Sequence, residues 1–149
     1  MDYIFFEVPV DPRGKVRPRF TRGGQTYTPR ETRAYEQFLR DWYMQRIRGG
    51  MVEGPMVVTL NFLMPIPASW SAAKRAAAMR GNIKHDKKPD IDNLVKAVLD
   101  AYNGVIWADD KQIIAIKAEK RYSVLPRVCV DVQKADAKAA ESASDTMDV

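Results

Sequence analysis

The chain has few of the residues that hold zinc or form disulfides. Its 149 residues include one cysteine, Cys129, and one histidine, His85. A single cysteine excludes an internal disulfide, and one cysteine with one histidine excludes a classical zinc finger. The absence of disulfides agrees with a reducing compartment, so we expect an intracellular, cytoplasmic protein.

Long apolar runs are also absent. No stretch of about 18 apolar residues occurs, so we expect no membrane span and no membrane partner. The first ten residues, MDYIFFEVPV, have an early acid and no basic region before the apolar stretch, unlike a signal peptide. Hydrophobic residues make up 46% of the chain, which is enough for one domain with a single core.

Acidic residues are scarce in two long segments and concentrated in a third. Residues 13–48 contain ten basic and three acidic residues, and residues 74–88 contain six basic and one acidic. Residues 89–110 reverse the balance, with five aspartates and one lysine. An acidic segment between basic flanks, in a chain of net charge +5, suits a protein that holds a polyanion around a cation site.

Hydrophobic periodicity predicts a single-domain α+β fold with a mixed or mostly antiparallel sheet and about three helices. The predicted order is β-α-β-α-α-β-β: strands at 3–10, 55–65, 111–122 and 126–133, and helices at 30–48, 69–80 and 91–102. We expect the last two strands to be antiparallel and joined near 123–126, and a short hairpin near residues 23–24. The domain covers residues 1–133, and we expect the acidic, Ala/Ser-rich tail at 134–149 to be disordered.

Helix boundaries and faces follow from the same pattern. Thr28 is the expected N-cap of the first helix, with Pro29 at its first position. Ser69 or Ser71 caps the second. On the third helix, apolar residues recur at helical spacing and are expected to face the core: Ile91, Leu94, Val95, Val98 and Tyr102.

The carboxylates of the acidic segment are suitable for a metal site. Asp90 and Asp92 lie at the start of the third helix, and they converge if Asp90 is still extended, which Pro89 favours. The Asp109-Asp110 pair follows the helix, where the chain has turned back toward its start. Mg²⁺ prefers oxygen ligands and usually takes one or two carboxylates with waters and phosphate oxygens. Lys96, one turn after Asp92, could neutralise a phosphate, orient a water or stabilise a leaving oxygen.

Each of these acids also has an ordinary structural interpretation. Asp90 could be an N-cap, Asp92 a partner of the helix dipole, and Asp109-Asp110 a turn. Lys96 could form i,i+4 ion pairs with Asp92 and Asp100. A capped helix alone does not require all of these features together, so we favour the metal site.

The same residues carry a resemblance to a known family. Lys88-Pro89-Asp90-Ile91-Asp92-Asn93-Leu94, then Lys96, Asp100 and Trp107-Ala108-Asp109-Asp110-Lys111-Gln112, resemble the signature of the RusA-type Holliday junction resolvases. The segments Lys15-Val16-Arg17-Pro18-Arg19, Tyr27-Thr28-Pro29 and Pro67-Ala68-Ser69-Trp70-Ser71 are also similar. The similarity runs over about residues 3–133 in the family's order.

The resemblance implies an endodeoxyribonuclease that is dimeric, depends on Mg²⁺ (with Mn²⁺ as a substitute) and nicks four-way DNA junctions symmetrically. It implies Asp90, Asp92 and Asp110 as metal-binding catalytic carboxylates and Lys96 as the essential lysine. Asp109 neighbours the set and ranks below Asp110. The mechanism it suggests is attack of a metal-activated water on the scissile phosphate.

Basic residues outside this segment are candidates for DNA contact. Lys15, Arg17, Arg19 and Arg22 lie in a Gly/Pro-rich loop with aromatic neighbours, which suits phosphate contacts and base stacking. Lys84, Lys87 and Lys88 lie directly before the carboxylates. Two other functions remain possible at this point: a non-catalytic DNA-binding protein, and a metal nuclease acting on other branched DNA such as flaps.

Overall fold

The sheet is built around one long strand whose side chains alternate between buried and half-buried as far as Phe62. The computed structural model describes residues 2–15, 19–20, 22–24, 26–27 and 29–135. The strands are β1 (Tyr3–Val8), β2 (Arg19–Phe20), β3 (Thr26–Tyr27), β4 (Met56–Pro65), β5 (Ile113–Ser123) and β6 (Arg127–Lys134). The helices are α1 (Arg30–Arg46), α2 (Ala72–Met79) and α3 (Ile91–Tyr102), and a 3₁₀ turn spans Asp110–Gln112. The predicted α+β architecture and element order are confirmed.

Four strands form a mixed sheet in the order β1-β6-β4-β5. β6 pairs antiparallel with both β1 and β4, and β5 pairs parallel with β4. A parallel connection needs a long crossover, and the segment with α2 and α3 supplies it. The last two strands run antiparallel, as predicted, but they are not neighbours in a hairpin, because β4 lies between them. The short predicted hairpin exists as the β2–β3 pair.

One face of the sheet is covered by α1 and α3, which also pack against each other. Phe6 of β1 meets Tyr43 of α1 and Tyr102 of α3, with ring centroids 5.0 and 5.5 Å apart. The Tyr102 hydroxyl donates a hydrogen bond to the Leu39 carbonyl oxygen at 3.0 Å, which ties α3 to α1. Burial is the main reason why the pKa of Tyr102 is raised, and the nearby Tyr35 and Tyr43 hydroxyls raise it further. α3 is therefore fixed in position by the core.

The predicted core face of α3 is partly wrong. Leu94, Val98 and Tyr102 are fully buried, as expected. Val95 is partly buried and packs against the core, whereas Ile91 is 38% exposed. Ala97 and Ala101, which were not predicted to face the core, are fully buried in it. Ile91 lies instead on the groove at the edge of the sheet.

Helix ends differ slightly from the prediction. Pro29 itself occupies the capping position of α1 without a side-chain hydrogen bond, and the predicted cap Thr28 lies outside the described residues. Ser71 caps α2, because its hydroxyl accepts a hydrogen bond from the Lys74 backbone N–H at 3.2 Å. The predicted tail at 134–149 begins too early, because Lys134 is still paired in β6, and the rest of that prediction from residue 136 onward lies outside the described part. Within that part, no helix combines the length and the apolar character needed to cross a membrane.

Candidate active site

The start of α3 presents its two aspartates in different ways. Asp90 is in the capping position with an extended backbone (φ −65°, ψ 146°), but its carboxylate makes no capping hydrogen bond. Asp92 follows in the first helical turn and is exposed. Lys120 of β5 holds the preceding loop, because its ammonium donates to the carbonyl oxygens of Lys87 and Pro89 at 2.5 and 2.9 Å. Both carboxylates therefore project from a fixed backbone.

The two aspartates of the 3₁₀ turn have separate roles. The Asp109 carboxylate accepts a hydrogen bond from the Lys111 backbone N–H at 2.9 Å. The Gln112 side-chain oxygen in turn accepts from the Asp109 backbone N–H at 3.1 Å, which completes a capping box. Asp110 accepts a 2.7 Å hydrogen bond on Oδ1 from the buried Trp107 indole N–H. This contact orients the Asp110 carboxylate, and among the described residues its Oδ2 has no hydrogen-bond partner.

Asp92 and Asp110 line the same groove between α3 and the sheet edge. The groove holds about 420 Å³, and its other charged lining residues are Lys96 and Asp100. Its apolar lining consists of Ile91, Val95, Leu99 and Ala118. The groove thus has a charged rim on an apolar base, and it contains three of the four predicted catalytic residues.

Asp100 connects the groove to an internal ion-pair network. Its Oδ2 lies 3.0 Å from the Lys15 ammonium and 3.9 Å from that of Lys96. Lys15 also donates a 2.6 Å hydrogen bond to Glu36 of α1. Burial alone would lower the pKa of Lys15, but its hydrogen bonds to Glu36 and Asp100 and their negative charges raise it overall. Of the two ion pairs considered for Lys96, the one with Asp100 is present.

This network changes the interpretation of Lys15. The sequence predicts a DNA contact, but the side chain is only 13% exposed and both of its ion pairs are internal. The backbone is equally constrained, because the Lys15 N–H donates to the Asn93 carbonyl oxygen at 2.9 Å. A Cβ added to the preceding Gly14 would lie 2.9 Å from the Pro89 Cβ. The segment is packed against the start of α3, so we remove Lys15 from the candidate DNA contacts.

Asp90 does not line the groove that contains Asp92 and Asp110. It borders a neighbouring depression with Lys15, Lys88 and Asn93. No cluster of three or more Asp, Glu, His or Cys side chains close enough to hold a metal ion occurs in the described part of the chain. The donor set of Asp92 and Asp110 still fits Mg²⁺, which in proteins is often held by one or two carboxylates, with waters and phosphate oxygens as its other ligands.

The remaining predicted DNA contacts lie at the surface where they are described. Lys84, Lys87 and Lys88 are exposed in the loop that leads to Asp90, and Arg22 is exposed at the tip of the β2–β3 hairpin. Arg17 lies outside the described residues. Arg19 lies in β2, but its side chain belongs to the part that is not described. The loop lysines are thus the candidates nearest the carboxylates.

Two residues that support the site had no role predicted from the sequence. Trp107 orients Asp110, and Lys120 fixes the loop before Asp90. Trp107 falls within the motif that carries the family resemblance, so its presence was visible although its contact was not. Nothing in the sequence around Lys120 distinguishes it from other exposed strand lysines.

Comparison with known proteins identifies the family of the chain. A family model described as Endodeoxyribonuclease RusA matches residues 9–133, which is most of the chain. The chain is also 33% identical over 142 residues to a Bacillus subtilis (strain 168) protein described as the uncharacterized protein YqaN. That match covers 92% of this chain and all of the relative. Both matches include the loop, α3 and the 3₁₀ turn.

Proposed function

The chain belongs to the RusA endodeoxyribonuclease family, and from that premise we propose that it resolves four-way (Holliday) DNA junctions by paired, symmetric, Mg²⁺-dependent nicks. The observation that carries the proposal is the groove in which Asp92 and Asp110 lie with Lys96. Two carboxylates alone would repel a phosphate. With a cation between them and an ammonium beside them, the same groove can accept one.

The divalent ion would be held by Asp92 and Asp110, with Asp90 as the third proposed ligand from the adjacent depression. When bound, Mg²⁺ (or Mn²⁺ in its place) lowers the pKa of water and polarises the phosphate. The Trp107 hydrogen bond keeps one Asp110 oxygen occupied and leaves the other for the ion. Asp109 is left out of the proposed set because it does not line the groove and its Oδ1 caps the turn.

The proposed role of Lys96 is to stabilise negative charge on the phosphate with its ammonium group. Its side chain is 64% exposed and leans toward Asp100 at 3.9 Å, a distance that leaves the ammonium accessible. As a water oxygen bonds to phosphorus and the P–O bond to the leaving sugar oxygen breaks, negative charge accumulates on the oxygens. An ammonium positioned there stabilises that charge. Asp100, itself held by Lys15, is the residue that positions Lys96.

Paired nicking requires two equivalent sites, which a C₂ homodimer supplies. The structure offers a candidate contact surface on β1. Tyr3 and Phe5 point away from the helical layer and are 55% and 52% exposed. A dimer that covers these rings would remove two large apolar side chains from water.

A cleavage assay with three DNA substrates tests the proposal. Labelled four-way junction, flap and linear duplex are incubated with and without Mg²⁺, using the wild type and Asp92→Asn. We expect cleavage of the junction only with Mg²⁺, and a loss of about 10²- to 10³-fold in Asp92→Asn with junction binding retained. Asp41→Asn, an exposed change on α1, is the matched control and should cleave normally.

Each contrary result has a distinct meaning. Flap cleavage equal to or better than junction cleavage would identify a nuclease for other branched DNA. Binding without Mg²⁺-dependent cleavage by the wild type would identify a non-catalytic DNA-binding protein. Full activity of Asp92→Asn would remove that carboxylate from the site.

A further inference from the structure

A second groove, away from the candidate active site, has a strongly basic lining. It holds about 540 Å³ and lies between the end of α2 and the turn that joins β5 to β6. Four cationic residues line it, and its lining contains no aspartate or glutamate: Arg80, Lys84, Arg121 and Arg127. Of these, only Lys84 was expected from the sequence to contact DNA.

The four cations differ in how they are used within the fold. Arg127 donates a 2.8 Å hydrogen bond to the Glu7 carboxylate, so its charge is compensated. Arg80, Lys84 and Arg121 are exposed, and in the described ranges of the chain none of them forms an ion pair. Three uncompensated positive charges around one concave surface repel each other, which favours an anion between them.

The apolar lining indicates which kind of anion fits. Met79, Val124 and Leu125 are 53%, 67% and 66% exposed at the rim, where they can cover sugar rings. The aromatic residue of the groove, Tyr122, is 7% exposed, so its ring does not offer a stacking surface to an unpaired base. A groove with exposed cations and no exposed ring suits contacts to a DNA backbone rather than to splayed bases.

One loop connects this groove to the candidate active site. Residues 81–89 begin in the groove at Gly81 and Lys84 and end at Pro89, directly before Asp90. On the sheet edge, Ala118 of the catalytic groove and Arg121 of the basic groove are three residues apart on β5, about 10 Å along the strand, and their side chains point to opposite faces of the sheet.

We propose that this basic groove binds the sugar-phosphate backbone of a duplex arm, outside the catalytic groove. The inference rests on the proposed function for the identity of the DNA, but it assigns a separate surface and separate residues. Arg80 and Arg121 are its principal contacts, with Lys84 between the groove and the active-site loop.

The test is the salt dependence of junction binding by Arg80→Ala/Arg121→Ala. Binding to a labelled four-way junction is measured in EDTA by fluorescence anisotropy over a series of salt concentrations. Each lost phosphate contact reduces the slope of log K against log salt by about 0.9, so we expect a decrease of about 1.8. Affinity at a fixed moderate salt concentration should fall by about tenfold. Arg80→Lys/Arg121→Lys, which keeps both charges, should retain most of the slope.

The matched control is Arg33→Ala/Arg48→Ala, which removes two exposed arginines in and just after α1 that are also without ion pairs in the described part. It should leave the slope nearly unchanged. An equal decrease in both alanine pairs would indicate general charge attraction and overturn the proposal, as would an unchanged slope in the groove pair. Thermal unfolding verifies that each variant is folded.

Cleavage separates this proposal from the proposed function. In single-turnover cleavage, Arg80→Ala/Arg121→Ala should need about tenfold more protein than the wild type to reach its half-maximal rate, because both residues belong to the proposed DNA-binding groove. A loss of cleavage with unchanged binding would contradict a role in DNA binding. If the wild type binds junctions but never cleaves them, the enzymatic proposal fails while the groove assignment can still be supported by the slope.

Discussion

Two pairs of aspartates differ in their local contacts: Asp90 and Asp92 at the start of α3, and Asp109 and Asp110 at the 3₁₀ turn. At the turn, the Asp109 carboxylate is bound by a backbone N–H, and Asp110 faces the groove. At the helix, Asp92 faces the same groove, whereas Asp90 makes no capping hydrogen bond. Only Asp109 therefore has the ordinary capping role that could have explained all of these acids.

The difference shows how an acid can be assigned to a structural or a chemical role. A carboxylate with a backbone partner already contributes to stability, and removing it leaves a helix end unsatisfied. A carboxylate that has no backbone partner and lines a groove together with another acid does not have that role. Asp92 and Asp110 belong to the second kind, and a divalent ion is the explanation that we propose.

The sharpest test of the comparison replaces each of the two aspartates of the turn separately with asparagine. We expect Asp110→Asn to reduce junction cleavage by about 10²- to 10³-fold, because it removes a charged ligand that is oriented by Trp107. Asp109→Asn should stay within a few-fold of the wild type, since its amide oxygen can still accept the Lys111 N–H. Single-turnover rates in Mg²⁺ measure both. Similar losses in both variants would contradict the division of roles.

A smaller effect is expected from the residue that orients Asp110. Trp107→Phe keeps an aromatic ring but removes the indole N–H, so the carboxylate loses a charge-assisted hydrogen bond. We expect cleavage to fall by about tenfold, which corresponds to about 1.4 kcal/mol. Tyr102→Phe is the matched control, because it removes another buried donor, to Leu39, without touching the groove.

The two variants should separate stability from cleavage. Both lose stability when unfolding is followed in urea, but only Trp107→Phe should cleave more slowly at a temperature where both are folded. If Tyr102→Phe slows cleavage to the same degree, the effect of Trp107 comes from the core and not from Asp110.

The smallest predicted effect concerns stability at the turn. Asp109→Ala removes the carboxylate that accepts the Lys111 N–H, and loss of such a cap costs about 1 kcal/mol of unfolding free energy. Asp90→Ala should cost less, because the Asp90 carboxylate makes no capping hydrogen bond. Urea denaturation of the two variants measures the difference. A larger loss of unfolding free energy for Asp90→Ala than for Asp109→Ala would contradict the assignment of the capping role to Asp109.

Much of the fold could be predicted because its periodicities are strong. The bounds of α3 and the alternation of β4 follow directly from their apolar spacing. The neighbours of the last two strands could not be predicted, because local alternation does not reveal which strand lies between them. The exposure of Ile91 could not be predicted either, because apolar spacing does not show that the small side chains of Ala97 and Ala101 lie in the core.

The candidate residues of the site could be named from the sequence, but their arrangement could not. The acids and Lys96 stood out by charge and spacing, and the choice of Asp110 over Asp109 is supported by the contacts of the turn. The internal ion pairs of Lys15 were not visible, since its partner Glu36 is 21 positions away on another element. The separation of Asp90 from the groove depends on side-chain direction at a helix entry, which sequence spacing does not determine.

The most direct test of the central claim is divalent-ion binding in the absence of DNA. Mn²⁺ is titrated into the wild type, Asp110→Asn, Asp109→Asn and Asp92→Asn/Asp110→Asn, and free Mn²⁺ is followed by electron paramagnetic resonance. We expect Asp110→Asn to weaken binding by about tenfold or more, because a charged ligand is lost, while Asp109→Asn binds like the wild type. Equal binding by the wild type and by Asp92→Asn/Asp110→Asn would contradict the claim that these two carboxylates hold the ion.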